Sequence, residues 1–331
     1  MKKFILTILS LTIFSILAAD SFVVAESPGT STAVFLKLIP GARPAGMGNA
    51  FTAISDDSNA IYTNSSGLIQ IKSINISATH ILLFEDITHT SVNLAYPSGA
   101  NTFGLGISYL STGEIEARDS TGLLLATNNS VSNSVISVAY TRKIVDNFGV
   151  GLTAKTISQK YGLYSGNGMA TDVSGIYKFR ISEGYVSAGL ALQNLGSPIT
   201  IADVGNSLPT ITRLGIAYIP SSRFKIDVDA DKTSDSAMKI YSGIEYIYNN
   251  SFVLRAGHNQ LNKISGTEGI CLGIGTRTNL EKEALWEEGT VEESKEEGSE
   301  FDFDYALTSN SEDLGYTHRI SVTYKFGNKF H

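Results

Sequence analysis

From about residue 73 onward, apolar residues alternate one for one with small or polar ones, and this period restricts the fold more than any other feature. Phe103, Leu105, Ile107 and Tyr109 interleave with Gly104, Gly106 and Ser108. Phe148, Val150, Leu152 and Ala154 interleave with Gly149, Gly151, Thr153 and Lys155, and Phe301, Phe303, Tyr305 and Leu307 with Asp302, Asp304 and Ala306. Strict alternation sends the apolar side chains to one face of a strand. A soluble sandwich shows the same alternation, but ordinary strands average about five or six residues. A tilted strand needs roughly nine to eleven residues to cross a bilayer, and these runs are mostly nine to twelve long. The other face is rich in Gly, Ser and Thr, as a barrel interior is. Aromatics such as Tyr96, Tyr109, Tyr140, Tyr177, Tyr218 and Tyr246 fall near run ends, where an interfacial girdle would stand. The expectation is an all-β fold: a transmembrane antiparallel β-barrel of about fourteen strands in the outer membrane, in contact with its lipid.

The strands are expected near 73–83, 88–97, 101–111, 131–142, 147–159, 168–179, 184–194, 209–220, 223–232, 238–248, 251–258, 268–276, 300–308 and 316–326. Connections after the even-numbered strands are short, and those after the odd-numbered ones are mostly longer, at 112–130, 160–167, 195–208, 259–267 and 309–315. Outer-membrane barrels have short periplasmic turns and long outer loops, so the even connections are assigned to the periplasm. The exception is an acidic insertion at 277–300, which carries nine Glu against Arg277, Lys282 and Lys295. It reads either as a solvated insertion or as a docking element for a basic partner. Apart from this stretch the chain is nearly neutral within its formal net charge of −7, which argues against nucleic acid as a partner.

Alternation also predicts a charged lumen. Lys155, Asp172, Lys178, Lys225, Asp227, Asp229, Glu245, Arg255, Asp302, Asp304 and Arg319 should face inward. A Lys or Arg facing mid-bilayer lipid costs about 2–4 kcal/mol, which inward placement avoids. These charges read as wall–plug pairs or as a solute path.

The two ends carry export signals. Lys2 and Lys3 precede an apolar run from Phe4 to Ala18, and Val23-Val24-Ala25 offers small residues for cleavage after Ala25, with Ala19 as the alternative. Residues 1–25 therefore read as a signal peptide. At the other end Ile320, Val322, Tyr324 and Phe326 alternate with Arg319, Ser321, Thr323 and Lys325. An aromatic-terminated last strand resembles the signal read by the barrel-assembly machinery, although a tail of residues 327–331 follows it.

Residues 26–70 do not alternate. Met47, Phe51, Ile54, Ser58 and Ile61 fall at helical spacing, and Asp56, Asp57 and Ser58 can cap a second short helix near Asn59. Two helical pieces joined by a polar turn are expected, folded as a plug inside a barrel spanning 71–326. Arg43, Asp56 and Asp57 are candidate partners for wall charges, and Met47, Phe51 and Ile54 are candidate apolar contacts.

This segment resembles the PorV/PorQ family, part of the wider FadL-like group of outer-membrane barrels. The resemblance rests on Phe35-Leu36-Lys37, Gly41-Ala42-Arg43-Pro44, Met47-Gly48, Ala50-Phe51-Thr52-Ala53, Asp56-Asp57, Asn59-Ala60-Ile61-Tyr62, Asn64 and Gly67-Leu68. Near the C-terminus it rests on Asp304-Tyr305-Ala306-Leu307, Asp313-Leu314-Gly315 and Thr317-His318-Arg319-Ile320-Ser321. Where the family has Asn-Pro-Ala-Gly-Leu, this chain has Asn64-Ser65-Ser66-Gly67-Leu68, and loss of the proline predicts a looser turn. The resemblance implies one of two roles: a type IX-like secretion platform that receives exported cargo and hands it to secretion-system proteins, or a FadL-like channel for hydrophobic small molecules. A structural or surface-antigen barrel is the third reading. The secretion platform is the leading expectation, on resemblance alone.

No catalytic residues, cofactor or metal site are expected. The five His make no metal-spaced pair, Cys271 is the only cysteine, and neither a GxSxG elbow nor a phosphate-binding loop occurs. The chain reads as non-enzymatic.

Overall fold

The computed structural model describes residues 29–113, 115–249, 251–260, 269–280, 298–310 and 314–327. The signal peptide, its cleavage site, most of the acidic insertion and the end of the C-terminal tail lie outside the described residues. Eighteen strands follow in chain order. They are β1 (Asn75–Leu82), β2 (Thr88–Ser98), β3 (Asn101–Ser111), β4 (Ile115–Arg118), β5 (Leu124–Asn129) and β6 (Val131–Val145). Next come β7 (Phe148–Tyr161), β8 (Tyr164–Arg180), β9 (Tyr185–Gly196), β10 (Ile199–Ile201), β11 (Val204–Asn206) and β12 (Ile211–Ser221). The last six are β13 (Phe224–Thr233), β14 (Lys239–Tyr248), β15 (Phe252–His258), β16 (Ile270–Leu280), β17 (Ser299–Ser309) and β18 (Tyr316–Lys325).

Fourteen of these strands form a closed antiparallel barrel, and β4–β5 and β10–β11 are separate hairpins in two of its loops. Closure is made by β1 on β18, in register from Asn75 opposite Lys325 to Leu82 opposite His318. A closed sheet has no free edge, so every strand can satisfy its backbone within the wall. Among the described residues no helix is long and apolar enough to cross a membrane. The outward residues of the strands are apolar and exposed, as with Phe103, Leu105, Ile107 and Tyr109 on β3, and Leu272 and Ile274 on β16. In water such a continuous apolar belt would be untenable, whereas lipid hydrocarbon covers it.

Three connections differ from the sequence expectation. The segment 160–167 is not a long loop: β7 and β8 run on until only Gly162 and Leu163 remain between them, with Gly162 at φ 57°. Segment 112–130 folds as the β4–β5 hairpin, leaving Leu123 and Leu124 exposed. Segment 195–208 holds the β10–β11 hairpin, which turns inward and buries Ile199 and Leu208. All three lie at the long-loop end, the outer end by the loop-length rule.

The chain before β1 fills the lumen. Residues 31–37 stand at the long-loop end, where Thr32 N donates to Ser207 O at 2.9 Å and Lys37 pairs with Asp235 at 2.6 Å. From there the chain descends through a helix at Ala42–Gly46, a helix at Ala60–Thr63 and a 3-10 turn at Ser65–Gln70. It then enters β1 from the short-turn end. The expected first helical piece spanning Met47 to Ile54 is not formed. Gly48 and Asn49 both take positive φ, 65° and 67°, which ends the helix at Gly46. Met47, Phe51 and Ile54 still gather, with Ala53 and Ala217, but through turns.

Candidate functional site: the lumen and its plug

The plug backbone lies so close to the wall that side chains on the inner face would collide with it. A Cβ added at Gly243 would sit 2.3 Å from Met47 O, one at Gly257 2.4 Å from Gly48 N, and one at Gly189 2.3 Å from Thr52 O. Gly151, Gly215 and Gly273 also approach plug backbone, and Gly104, Gly106 and Gly149 leave room for the plug side chains of Leu68, Tyr62 and Ile69. Much of the chain's high glycine content, 31 residues, is thus explained by a belt around the lumen that admits the plug.

Arg43 is the central tie. Its Nε and Nη2 donate to the two Glu245 oxygens at 2.8 and 2.9 Å, and its Nη1 donates to Asp56 at 2.6 Å and to Asp57 at 2.8 Å. The guanidinium also lies 5.2 Å from the Phe51 ring centroid. On the wall, Arg255 joins Glu245 at 2.8 Å to Asp304 at 2.6 Å. Lys225 reaches Asp56 at 2.6 Å and Glu245 at 3.3 Å. One ion-pair network thus runs from plug to wall across β13, β14, β15 and β17. Burial opposes ionisation of Asp56, but Arg43 and Lys225 outweigh it and hold its carboxyl well below the usual range.

A second tie uses backbone. Asp229 accepts from the amides of Phe51 and Thr52, both at 2.8 Å. These amides open a single turn, in which Ser55 N donates back to Phe51 O at 2.9 Å. The first amides of a helical turn have no partner within it and favour a carboxylate. Asp227 faces the same turn, beside the amides of Ala53 and Ile54. Asp57 Oδ1 accepts from Asn59 N at 2.8 Å ahead of the second helix.

The Asn64–Leu68 turn is not loosened by the missing proline. Asn64 donates to Thr52 O at 2.8 Å, the Ser66 hydroxyl donates to Asn64 Oδ1 at 2.5 Å, and the Ser65 hydroxyl is hydrogen-bonded to that of Ser174 at 3.0 Å. Two serine hydroxyls thus supply tethers that a Pro-Ala pair could not make.

Of the remaining inward residues, Lys155 pairs with Asp172 at 2.7 Å, and Asp302 with Lys325 at 2.8 Å. Lys178 is half-buried, and Arg319 is buried beside Thr308. Ile320, Val322, Tyr324 and Phe326 line the outer face of β18 and the residue after it, with Tyr324 and Phe326 edge to face at 4.7 Å. Sequence reasoning missed the buried Arg213–Asp231 pair. Alternation contained it: Leu214, Ile216 and Tyr218 face out, which turns Arg213 inward.

The long-loop half of the lumen differs in character. Val135, Ile157 and Ala170 face in from β6, β7 and β8 and pack against Ala33 and Phe35 of the N-terminal arm and Ile199 and Leu208 of the infolded loop. Beside this cluster is a small cleft of about 10 Å³, with room for about one water, lined by Leu36, Leu38, Pro40, Tyr62, Ser137 and Lys155 among others.

No family model matches the sequence, and no curated protein matches it. Solved structures do. The toluene transporter TodX of Pseudomonas putida superposes with a TM-score of 0.60 at 12% identity, over 88% of this chain and 99% of that one. The monoaromatic hydrocarbon channel CymD gives 0.57 at 12% identity over 88% and 98%. A FadL homologue of Pseudomonas aeruginosa gives 0.51 at 11% identity over 88% and 98%. This chain has the FadL-like barrel fold. At these identities the likeness speaks for the fold, a closed β-barrel, alone. It gives no support to the narrower PorV/PorQ assignment.

Proposed function

We propose that this FadL-like barrel is a plugged outer-membrane channel for hydrophobic small molecules. The observation that carries the reading is the apolar cluster of Val135, Ile157, Ala170, Phe35 and Ile199 at the long-loop end of a lumen whose wall elsewhere is mostly Gly, Ala, Ser, Thr, Asn and charges. The cluster packs the arm and the infolded loop against the wall, and an apolar compound arriving from outside would partition into the same patch. The barrels that share the fold include a toluene transporter and a monoaromatic hydrocarbon channel, which favours this reading over the secretion platform. The test is toluene uptake into cells carrying the barrel, compared with barrel-free cells. Uptake should exceed the control and fall in Val135→Asp, which places a charge among apolar neighbours. Equal uptake with and without the barrel would reject the channel.

One observation favours the secretion platform instead: the plug is tied to the wall by a continuous ion-pair network, so it suits a fixed floor better than a gate. Affinity purification from solubilised outer membrane separates the two, since a platform brings down exported proteins. The wall is hydrogen-bonded around its whole circumference, so under the channel reading a solute leaves through the lumen unless strands part.

A further inference from the structure

We propose that the long-loop half of the lumen binds a small monovalent anion between Arg319 and His89. Arg319 is only 5% exposed, yet no carboxylate of a described residue lies within ion-pair distance of it. Its one hydrogen bond to a described residue runs from Nη1 to Thr308 Oγ1 at 2.9 Å, and its Nε is buried without a partner. Other cations buried in this lumen are differently placed: Arg43, Lys155, Arg213 and Arg255 each hold a carboxylate. An uncompensated buried charge is costly and is normally paired, so a counter-ion from solution is the missing element.

The strand register supplies the second half of the site. Ile81 of β1 is opposite Arg319 on β18 and opposite His89 on β2, so the three stand in one row on adjacent strands, all turned inward. His89 is 1% exposed, its Nε2 is 2.6 Å from Ser108 Oγ, and its Nδ1 has no partner. If Ser108 donates to Nε2, the proton resides on Nδ1, and the imidazole offers a second N–H beside the guanidinium. In that tautomer the row presents one fixed charge and two unsatisfied donors across an apolar residue. A monovalent anion balances that charge, whereas a divalent one overshoots it. The chemistry suits a halide or a small carboxylate. The site is separate from the Arg43 network and does not depend on what the channel carries.

The test uses the full-length barrel in detergent. Gluconate, a much larger anion than either probe, serves as the reference and is replaced at constant ionic strength by bromide in one series and formate in another. Wild type should show a saturating rise in Tm with at least one of them, as expected for a ligand that binds only the folded state. A response to bromide alone marks a halide site, and one to formate alone a carboxylate site. Arg319→Gln should lose the response, and His89→Ala should need a higher anion concentration for it. Folding of both variants is checked by heat-modifiable migration. Bromide-soaked wild-type crystals give a readout that needs no variant: anomalous density should lie beside the Arg319 guanidinium if the halide series responds. The same Tm rise in wild type and Arg319→Gln would overturn the proposal, as would no rise with either anion.

Discussion

Replacing Arg43 with Gln should free the plug without unfolding the wall. The substitution removes four charge-assisted hydrogen bonds, two to Glu245 and one each to Asp56 and Asp57. It leaves Glu245 with Arg255 and Lys225, and Asp56 with Lys225, but Asp57 has no second cation among the ion pairs of the described residues. Removing one partner of a buried ion pair costs about 3–5 kcal/mol, because the charges left behind stay desolvated. At about 1.4 kcal/mol per factor of ten, plug opening becomes on the order of 10²- to 10³-fold more frequent. The assay is hydrogen exchange by mass spectrometry in detergent or vesicles. The amides of Phe51 and Thr52, bound to Asp229 in the closed plug, should exchange faster by that factor. Amides in β6 and β7, far from the network, should keep their protection. Unchanged exchange at Phe51 and Thr52 would refute the view that Arg43 fastens the plug, and uniform loss across the wall would show that the two do not open separately.

Gly243→Val should displace the plug by contact alone, since even a Cβ would lie 2.3 Å from Met47 O; accelerated exchange over 43–55 with the net charge unaltered checks it. The pH response follows from Asp56, whose pKa is depressed in the folded protein. Its contribution is complete above the unfolded value near 3.9 and declines as pH falls below it toward the folded value. The difference in plug protection between wild type and Asp56→Asn should therefore be constant from pH 7 to about 5 and shrink only in stronger acid.

The wall was legible because each strand's alternation is a local signal. Most of the fourteen expected strands lie within two residues of the observed ends, and the largest shifts, of four residues, are the start of β8 and the end of β16. Both are extensions, where pairing continues after the apolar pattern stops. Lumen-facing charges could be enumerated from phase, but their partners could not, because Arg43 and Glu245 are 202 residues apart. The glycine belt was visible only as composition. Its purpose needed the plug itself, whose backbone or side chains lie about 2–3 Å from each missing Cβ. The inward fold of the β10–β11 hairpin left no signal in its short strands of three residues. The helical spacing of Met47, Phe51 and Ile54 misled because turns held by Gly48, Asn49 and Asp229 reach the same grouping.

The membrane barrel itself is tested most directly by nitroxide labels placed one at a time along β3 at Thr102, Phe103, Leu105, Ile107 and Ser108, with the protein in lipid bilayers. Collision with oxygen, which concentrates in hydrocarbon, should be high at 103, 105 and 107 and low at 102 and 108. Equal values at odd and even positions, or higher exposure to a water-soluble nickel reagent than to oxygen at 105, would contradict a wall whose apolar face meets lipid.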